Sequence, residues 1–249
     1  MMIAHSRVVG AGPARTIGPS AGQRRTRRLP DVVTPLAILF ALIGGAWGLA
    51  SDRIAVRWPE HDPEEADEHP AGRAPGWRTA VTVLLGALGL GLVAVRFTEP
   101  VHIAVFGAYV LALTLMLATD LDQRLLPNEL TLPAIPIVLI FGLTGANPLV
   151  PTDALLMAGV AAVVIPALLY LVSIPFGAGA FGQGDVKLLF SVGLLVGAWR
   201  LFNAVVYGFL LAGVVIVVLL VLRRITLKSF IPLGPFLIIG AFWAILAPG

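Results

Sequence analysis

From residue 79 onward the chain alternates between long apolar runs and short polar breaks. Residues 79–96, 101–118, 153–175 and 201–222 are rich in Leu, Val, Ile, Ala and Gly, with formal charge only at their ends. About 20 apolar residues cross the hydrocarbon of a bilayer, so each run predicts a transmembrane helix. Residues 32–50 form an earlier run of the same kind. Three shorter runs follow the same logic. Residues 133–143 are interrupted by Pro136, which predicts a short or kinked span. Residues 186–199 are entered directly from Asp185, and residues 231–246 open with Pro232 and Pro235. The pattern predicts an all-α polytopic membrane protein, a bundle of about eight transmembrane helices. No internal repeat is visible.

Composition sharpens this picture. The 249 residues are 58% hydrophobic and 12% charged, with a mean hydropathy of +0.93. Soluble domains usually carry about 25% charged residues. The net charge of +3 is small, and its basic excess sits in one N-terminal cluster, so nucleic acid is not an expected partner. There is no cysteine, which excludes disulfides, thiolate zinc sites and a cysteine nucleophile. His5, His61, His69 and His102 are scattered without ligand spacing. No metal and no cofactor are expected.

Three regions follow. Residues 1–31 read as a disordered basic arm, with Arg7, Arg15, Arg24, Arg25, Arg27 and Arg28 against Asp31 alone. Residues 32–78 hold the first transmembrane helix and an acidic loop that includes Glu60, Asp62, Glu64, Glu65, Asp67 and Glu68. Residues 79–249 form the main membrane domain. Alternating spans place Arg53, Arg57, Arg73, Arg78, Arg124, Lys187, Arg223, Arg224 and Lys228 on one side, with Arg96 and Arg200 on the other. The basic side is expected to face the cytoplasm. The arginines of the arm point the opposite way, but the later loops agree with one another and set the expectation.

Acids are rare in this membrane domain, and a carboxylate near a span is a candidate functional group because burying it is costly. Asp120 ends one apolar run and Asp185 begins another, so both should lie at similar depth on the basic side. On spacing alone three readings stay open: helix caps, an ion or proton path, and a catalytic pair. Asp185 suits an N-cap. Asp120 follows a helix, where the dipole disfavours it. Two carboxylates in contact cannot both ionise easily, so the pair shares a proton. The ionised member then activates water and the protonated member donates to a scissile carbonyl oxygen. Asp122 reads as a solvated loop residue or a partner of Arg124. Gly182 and Gly184 flank Gln183 beside Asp185. No strand precedes them and no GxxxxGK[ST] is present, so tight helix packing or local unwinding is favoured over phosphate binding. Lys187 is either a snorkelling boundary residue or a group that tunes the acid pair.

Three stretches in this order resemble type IV prepilin peptidases. Gly182-Gln183-Gly184-Asp185-Val186-Lys187 is similar to that family's GxGDxK signature, although GxGD alone is shared with presenilin-type proteases. Asp120-Leu121-Asp122-Gln123-Arg124-Leu125-Leu126-Pro127-Asn128 resembles its other motif, an aspartate followed at a fixed interval by Leu/Ile-Pro-Asn/Asp. Ile231 to Leu237 is similar to its last-helix entry. The resemblance covers roughly residues 80–247. It implies an aspartyl endopeptidase of the bacterial inner membrane, with its site facing the cytoplasm. Asp120 and Asp185 would be catalytic, with Gly182, Gly184, Lys187, Pro127 and Asn128 in binding or supporting roles. The implied partners are prepilin or pseudopilin precursors within membrane lipid, cleaved after a glycine that ends a basic leader. Many members also carry paired CxxC motifs and methylate the new N-terminus. This chain has no cysteine, so a peptidase without methyltransferase activity is expected. The alternative function is a proton- or ion-coupled transporter using the same acids, which a repeated half-structure would favour.

Overall fold

The computed structural model describes residues 33–58, 74–176, 181–226 and 232–248. The arm at 1–31, the acids from 60 to 68 and the glycine-rich residues 177–180 lie outside them. Among the described residues there are eight α-helices and no strand: α1 (Val33–Ala55), α2 (Trp77–Arg96), α3 (Pro100–Gln123), α4 (Asn128–Leu143), α5 (Leu155–Ser173), α6 (Gln183–Val196), α7 (Ala198–Val221) and α8 (Gly234–Leu246). Five are long and apolar enough to cross a membrane, namely α1, α2, α3, α5 with its preceding 3-10 turn, and α7. Helices α4 and α8 are shorter and apolar, and α6 has 14 residues. The protein is a polytopic all-α bundle.

Three helix ends differ from the hydropathy reading. The expected span at 101–118 continues to Gln123, so Asp120 and Asp122 lie in the last turn of α3 rather than in a loop. Nothing in Asp120–Gln123 breaks a helix. It stops where Arg124 turns left-handed (φ 56°, ψ 35°) and its N–H bonds the Asp120 carbonyl oxygen at 3.0 Å. Helix α4 starts at Asn128, not Pro133, and runs through both Pro133 and Pro136. Membrane helices tolerate such prolines because neighbours re-satisfy the freed carbonyls. Helix α6 begins at Gln183, which puts Asp185 inside its first turn instead of at the cap.

Helices α3, α6 and α8 supply most of the largest buried side chains. These include Phe106, Leu113, Met116 and Leu117, with Leu188, Leu189 and Leu195, and with Leu237, Ile238 and Ile245. Helix α8 packs on α3, α6 and α7, while α4 and α5 both pack on α6. The outer surfaces of α1, α5 and α7 expose Leu42, Leu156 and Val221, as a lipid-facing wall requires. Midway through the bundle the Tyr109 hydroxyl and Ser191 Oγ are 2.7 Å apart, a buried polar link between α3 and α6. At the end remote from the aspartates, Arg200 Nη1 donates to the carbonyl oxygens of Ala244 and Ala247, both at 2.9 Å. Asn147 Nδ2 donates to the Leu195 carbonyl oxygen at 2.9 Å. Both interactions satisfy acceptors that helix ends leave open.

Helix α1 lies on α2 at backbone contact. A Cβ at Gly48 would run into the Thr82 carbonyl, and one at Gly44 into the Gly86 carbonyl. Small residues permit this approach in membrane helices. Gly48→Val is therefore expected to lower stability by about 1–3 kcal/mol, the usual cost of overpacking. The thermal midpoint of the detergent-solubilised protein measures it.

Candidate active site

The up-and-down course of the chain brings the ends of α1, α3, α5 and α7 together with the starts of α2, α4, α6 and α8. Asp120, Asp122 and Asp185 all fall at this one end. Asp120, Asp122 and Asp185 are 5%, 7% and 9% exposed, so all three carboxylates are essentially withdrawn from solvent. Buried acids on this scale need partners or a purpose.

Asp120 projects from the last turn of α3 toward the start of α8. A Cβ built on Gly234, the first residue of α8, would meet only Asp120 as its nearest neighbours, namely both carboxylate oxygens and Cγ. The amino end of α8 thus faces the carboxylate, where the helix dipole favours negative charge. Asp120 Oδ2 is buried and has no hydrogen-bond partner among the described residues. Asp185 lies close enough for the two carboxylates to act on each other electrostatically, as does the Arg124 guanidinium on Asp120.

Asp185 is held by its own helix. Gly182 caps α6, and its N–H donates to Asp185 Oδ2 at 3.1 Å. This is the returning half of a capping box, three residues into the helix. The capping reading is therefore correct in kind but shifted in position, and it engages one carboxylate oxygen. The two glycines differ. A Cβ at Gly182 would make ordinary contact with Asp185, whereas one at Gly184 would press on Leu126 Cβ at 2.9 Å. Gly184 permits the strand of chain after α3 to lie against the start of α6.

The remaining expected residues join these two segments. Pro127 is buried and precedes α4 as its cap, and its carbonyl accepts the Thr131 N–H at 3.1 Å. Asn128 Oδ1 accepts a hydrogen bond from Lys187 Nζ at 2.7 Å. Lys187 is thus neither a free snorkelling residue nor in contact with the acids. It ties the first turn of α6 to the first turn of α4. Asp122 departs furthest from its expected place. It is buried, and its Oδ1 pairs with Arg78 Nη1 of α2 at 2.8 Å, not with Arg124.

Two residues here were not singled out from sequence. Gly234 lies in a stretch read as a helix entry, and its only signal was a glycine before a proline. Arg78 carried no local signal at all, because its partner is on another helix.

The fold and site define a multi-helix membrane protein with buried acids at one end of the bundle, among them Asp120 at a helix C-terminus and Asp185 inside the first turn of another helix. Known proteins place it further. The model of the type IV leader peptidase family matches residues 107–221. The chain is 35% identical over 129 residues to the prepilin leader peptidase/N-methyltransferase of Aeromonas salmonicida strain A449, covering 51% of this chain and 43% of that protein. It is 30% identical over 173 residues to the protein of the same name from Aeromonas hydrophila, covering 70% and 51%. With that of Dickeya chrysanthemi the identity is 29% over 182 residues, covering 72% and 63%. The chain spans about half the length of the curated relatives it matches. No solved structure matches it.

Proposed function

We propose that this protein is an intramembrane aspartyl endopeptidase that removes the basic leader from type IV prepilin-like or pseudopilin precursors. The catalytic unit is the membrane domain at 79–249, with Asp120 and Asp185 as the reacting pair. The observation that carries this reading is the convergence of two buried carboxylates, from motifs far apart in sequence, at one end of the bundle. One of them keeps an oxygen without a partner. The match of residues 107–221 to the leader peptidase family supports it.

The chemistry follows from a shared proton. The ionised carboxylate takes a proton from water as the water oxygen attacks the scissile carbonyl carbon. The protonated carboxyl donates its proton to the carbonyl oxygen, which gives a neutral tetrahedral diol without a covalent enzyme intermediate. Collapse of the diol breaks the C–N bond: one diol hydroxyl returns its proton to the carboxylate that had donated to the carbonyl oxygen, and the leaving amine takes a proton from the acid that had received one from water. Each turnover consumes one water and returns the pair to a single shared proton. Gly182, Gly184, Pro127, Asn128 and Lys187 hold the two acid-bearing segments against each other. The proposal is confined to hydrolysis.

The site is placed on the cytoplasmic face of the bacterial inner membrane. The support is the cluster of Arg53, Arg57, Arg78, Arg124, Lys187, Arg223 and Arg224 at the aspartate end, against Arg96 and Arg200 at the other. A basic leader retained in the cytoplasm would meet the acids there. Single cysteines in this cysteine-free chain test the assignment in intact cells. A membrane-impermeant thiol reagent should label Asp153→Cys and miss Gln183→Cys, both of which are exposed positions. The opposite labelling would invert the topology and remove the site from the side on which the leader lies.

A further inference from the structure

Asp120 and Asp122 are two residues apart on one helix, so their side chains leave the axis about 200° apart. When Asp120 faces the start of α8, Asp122 must face away from it, and it meets the first turn of α2. There Arg78 Nη1 lies 2.8 Å from Asp122 Oδ1, and the Asp122 side chain is only 1% exposed.

Neither charge suits its own helix. Arg78 is the second residue of α2, where the positive end of the dipole repels it. Asp122 is the second-last residue of α3, where the negative end does the same. The helices are antiparallel neighbours, so each charge lies beside the favourable end of the other helix. The placement is explained by the pair and not by either helix alone.

The same turn of α3 is held at one more point, and the helices behind it are tied to each other. Gln123 Nε2 donates to the carbonyl oxygen of Ala55, the last residue of α1, at 2.6 Å. Helix α2 is tied to α1 through Thr79 Oγ1, which donates to the buried Asp52 Oδ2 at 2.8 Å. Rotation of the last turn of α3 is therefore fixed from behind by α1 and α2. Asp120 makes no hydrogen bond of its own through Oδ2 that would fix its direction.

We propose that Arg78 and Asp122 form a positioning pair, with Gln123 in support, that sets the rotation of the last turn of α3 and so aims the Asp120 carboxylate at Asp185. This rests on the proteolytic reading above. Neither residue touches substrate. Their effect is on the rate of the chemical step, because displacement of a reacting group by about 1 Å can cost about 100-fold.

Two assays separate this role from simple stability. In the first, Arg78→Gln and Asp122→Asn each lower kcat about 10- to 100-fold per folded molecule, with KM unchanged. The double exchange Arg78→Asp with Asp122→Arg restores kcat to within about three-fold, because it rebuilds the bridge with each charge on the favourable end of its own helix. Gln123→Ala, which removes the hydrogen bond to Ala55 without stranding a charge, lowers kcat in the same direction. Wild-type kcat in the folded single variants overturns the proposal. So does an exchanged pair that folds but stays as slow as the singles.

The second assay needs no catalysis. Asp120→Cys and Gly234→Cys together place two thiols where the carboxylate now meets α8. With Arg78 and Asp122 intact, mild oxidation joins them quickly. With Asp122→Asn the rate of joining falls several-fold. Unchanged joining overturns the pair's role even if single variants fold poorly. If the wild-type protein cleaves no precursor but the joining rate falls as expected, the proteolytic reading is wrong and the positioning pair stands.

Discussion

Asp185→Asn and Asp120→Asn each abolish precursor cleavage, with losses of about 1,000-fold or more, while the protein still folds and inserts. The size is that of removing a group that moves protons in the transition state. Asparagine makes the test sharp. At position 185 its amide oxygen can still accept the Gly182 N–H that Asp185 Oδ2 accepts at 3.1 Å, so the cap on α6 survives. A residue that only capped the helix would therefore keep full activity as asparagine. At position 120 the change keeps the shape and removes a charge from a buried place, and the new amide N–H groups face the Asp185 carboxylate as an acceptor, so stability should not fall much. Cleavage of a precursor by purified protein in detergent, read alongside the thermal midpoint, separates the two effects. Asp120→Ala and Asp185→Ala should match the asparagine variants in activity. Full cleavage by Asp120→Asn, or loss in Asp122→Ala without loss in Asp120→Ala, would move the first acid to Asp122.

The contrast between the three acids shows where sequence reasoning reaches and where it stops. Burial in a membrane bundle is legible from apolar runs, and the rarity of acids among them pointed to Asp120 and Asp185. The runs do not report helix ends, because capping is a backbone matter. Helix α3 runs five residues past the end expected at 118 and stops only at the left-handed Arg124, which keeps Asp122 in the helix. Hydropathy assigns such a residue to the loop. In α4 the short span expected from Pro136 is found, but the helix starts at Asn128 rather than Pro133 and runs through both prolines.

Contacts between helices are the larger gap. The resemblance grouped Asn128 and Lys187 with the site, and the structure joins them through a single hydrogen bond. It offered nothing on Arg78, because a surface arginine and a buried partner look alike in one dimension. Tyr109 and Ser191 are equally silent in sequence, each an isolated hydroxyl in an apolar run, although together they form a buried link between the two acid-bearing helices. Polar residues inside apolar runs are the general signal for such links, but the signal does not name the partner.

Gly234→Ala should reduce kcat by about 100-fold, the second-largest effect expected in the molecule after loss of the acids themselves. The reason is local and steric. The three atoms nearest to an added Cβ are the two carboxylate oxygens and Cγ of Asp120, all inside van der Waals contact. Either α8 must move away or the Asp120 side chain must leave its present direction. Helix α8 is poorly placed to move, since Leu237, Ile238, Ala241 and Ile245 are buried against the core. The carboxylate is the softer element, so the substitution turns it off its line toward Asp185. Glycine-to-alanine changes in a helix otherwise tend to stabilise by about 0.4–1 kcal/mol where the backbone accepts alanine. Gly213→Ala in α7 supplies that reference, because its added Cβ would meet nothing within 4 Å. It should cleave as the wild type does, with an equal or slightly higher thermal midpoint. Gly234→Ala should fold nearly as well and yet lose kcat with little change in KM. Wild-type turnover in a folded Gly234→Ala protein would show that the start of α8 does not confine Asp120.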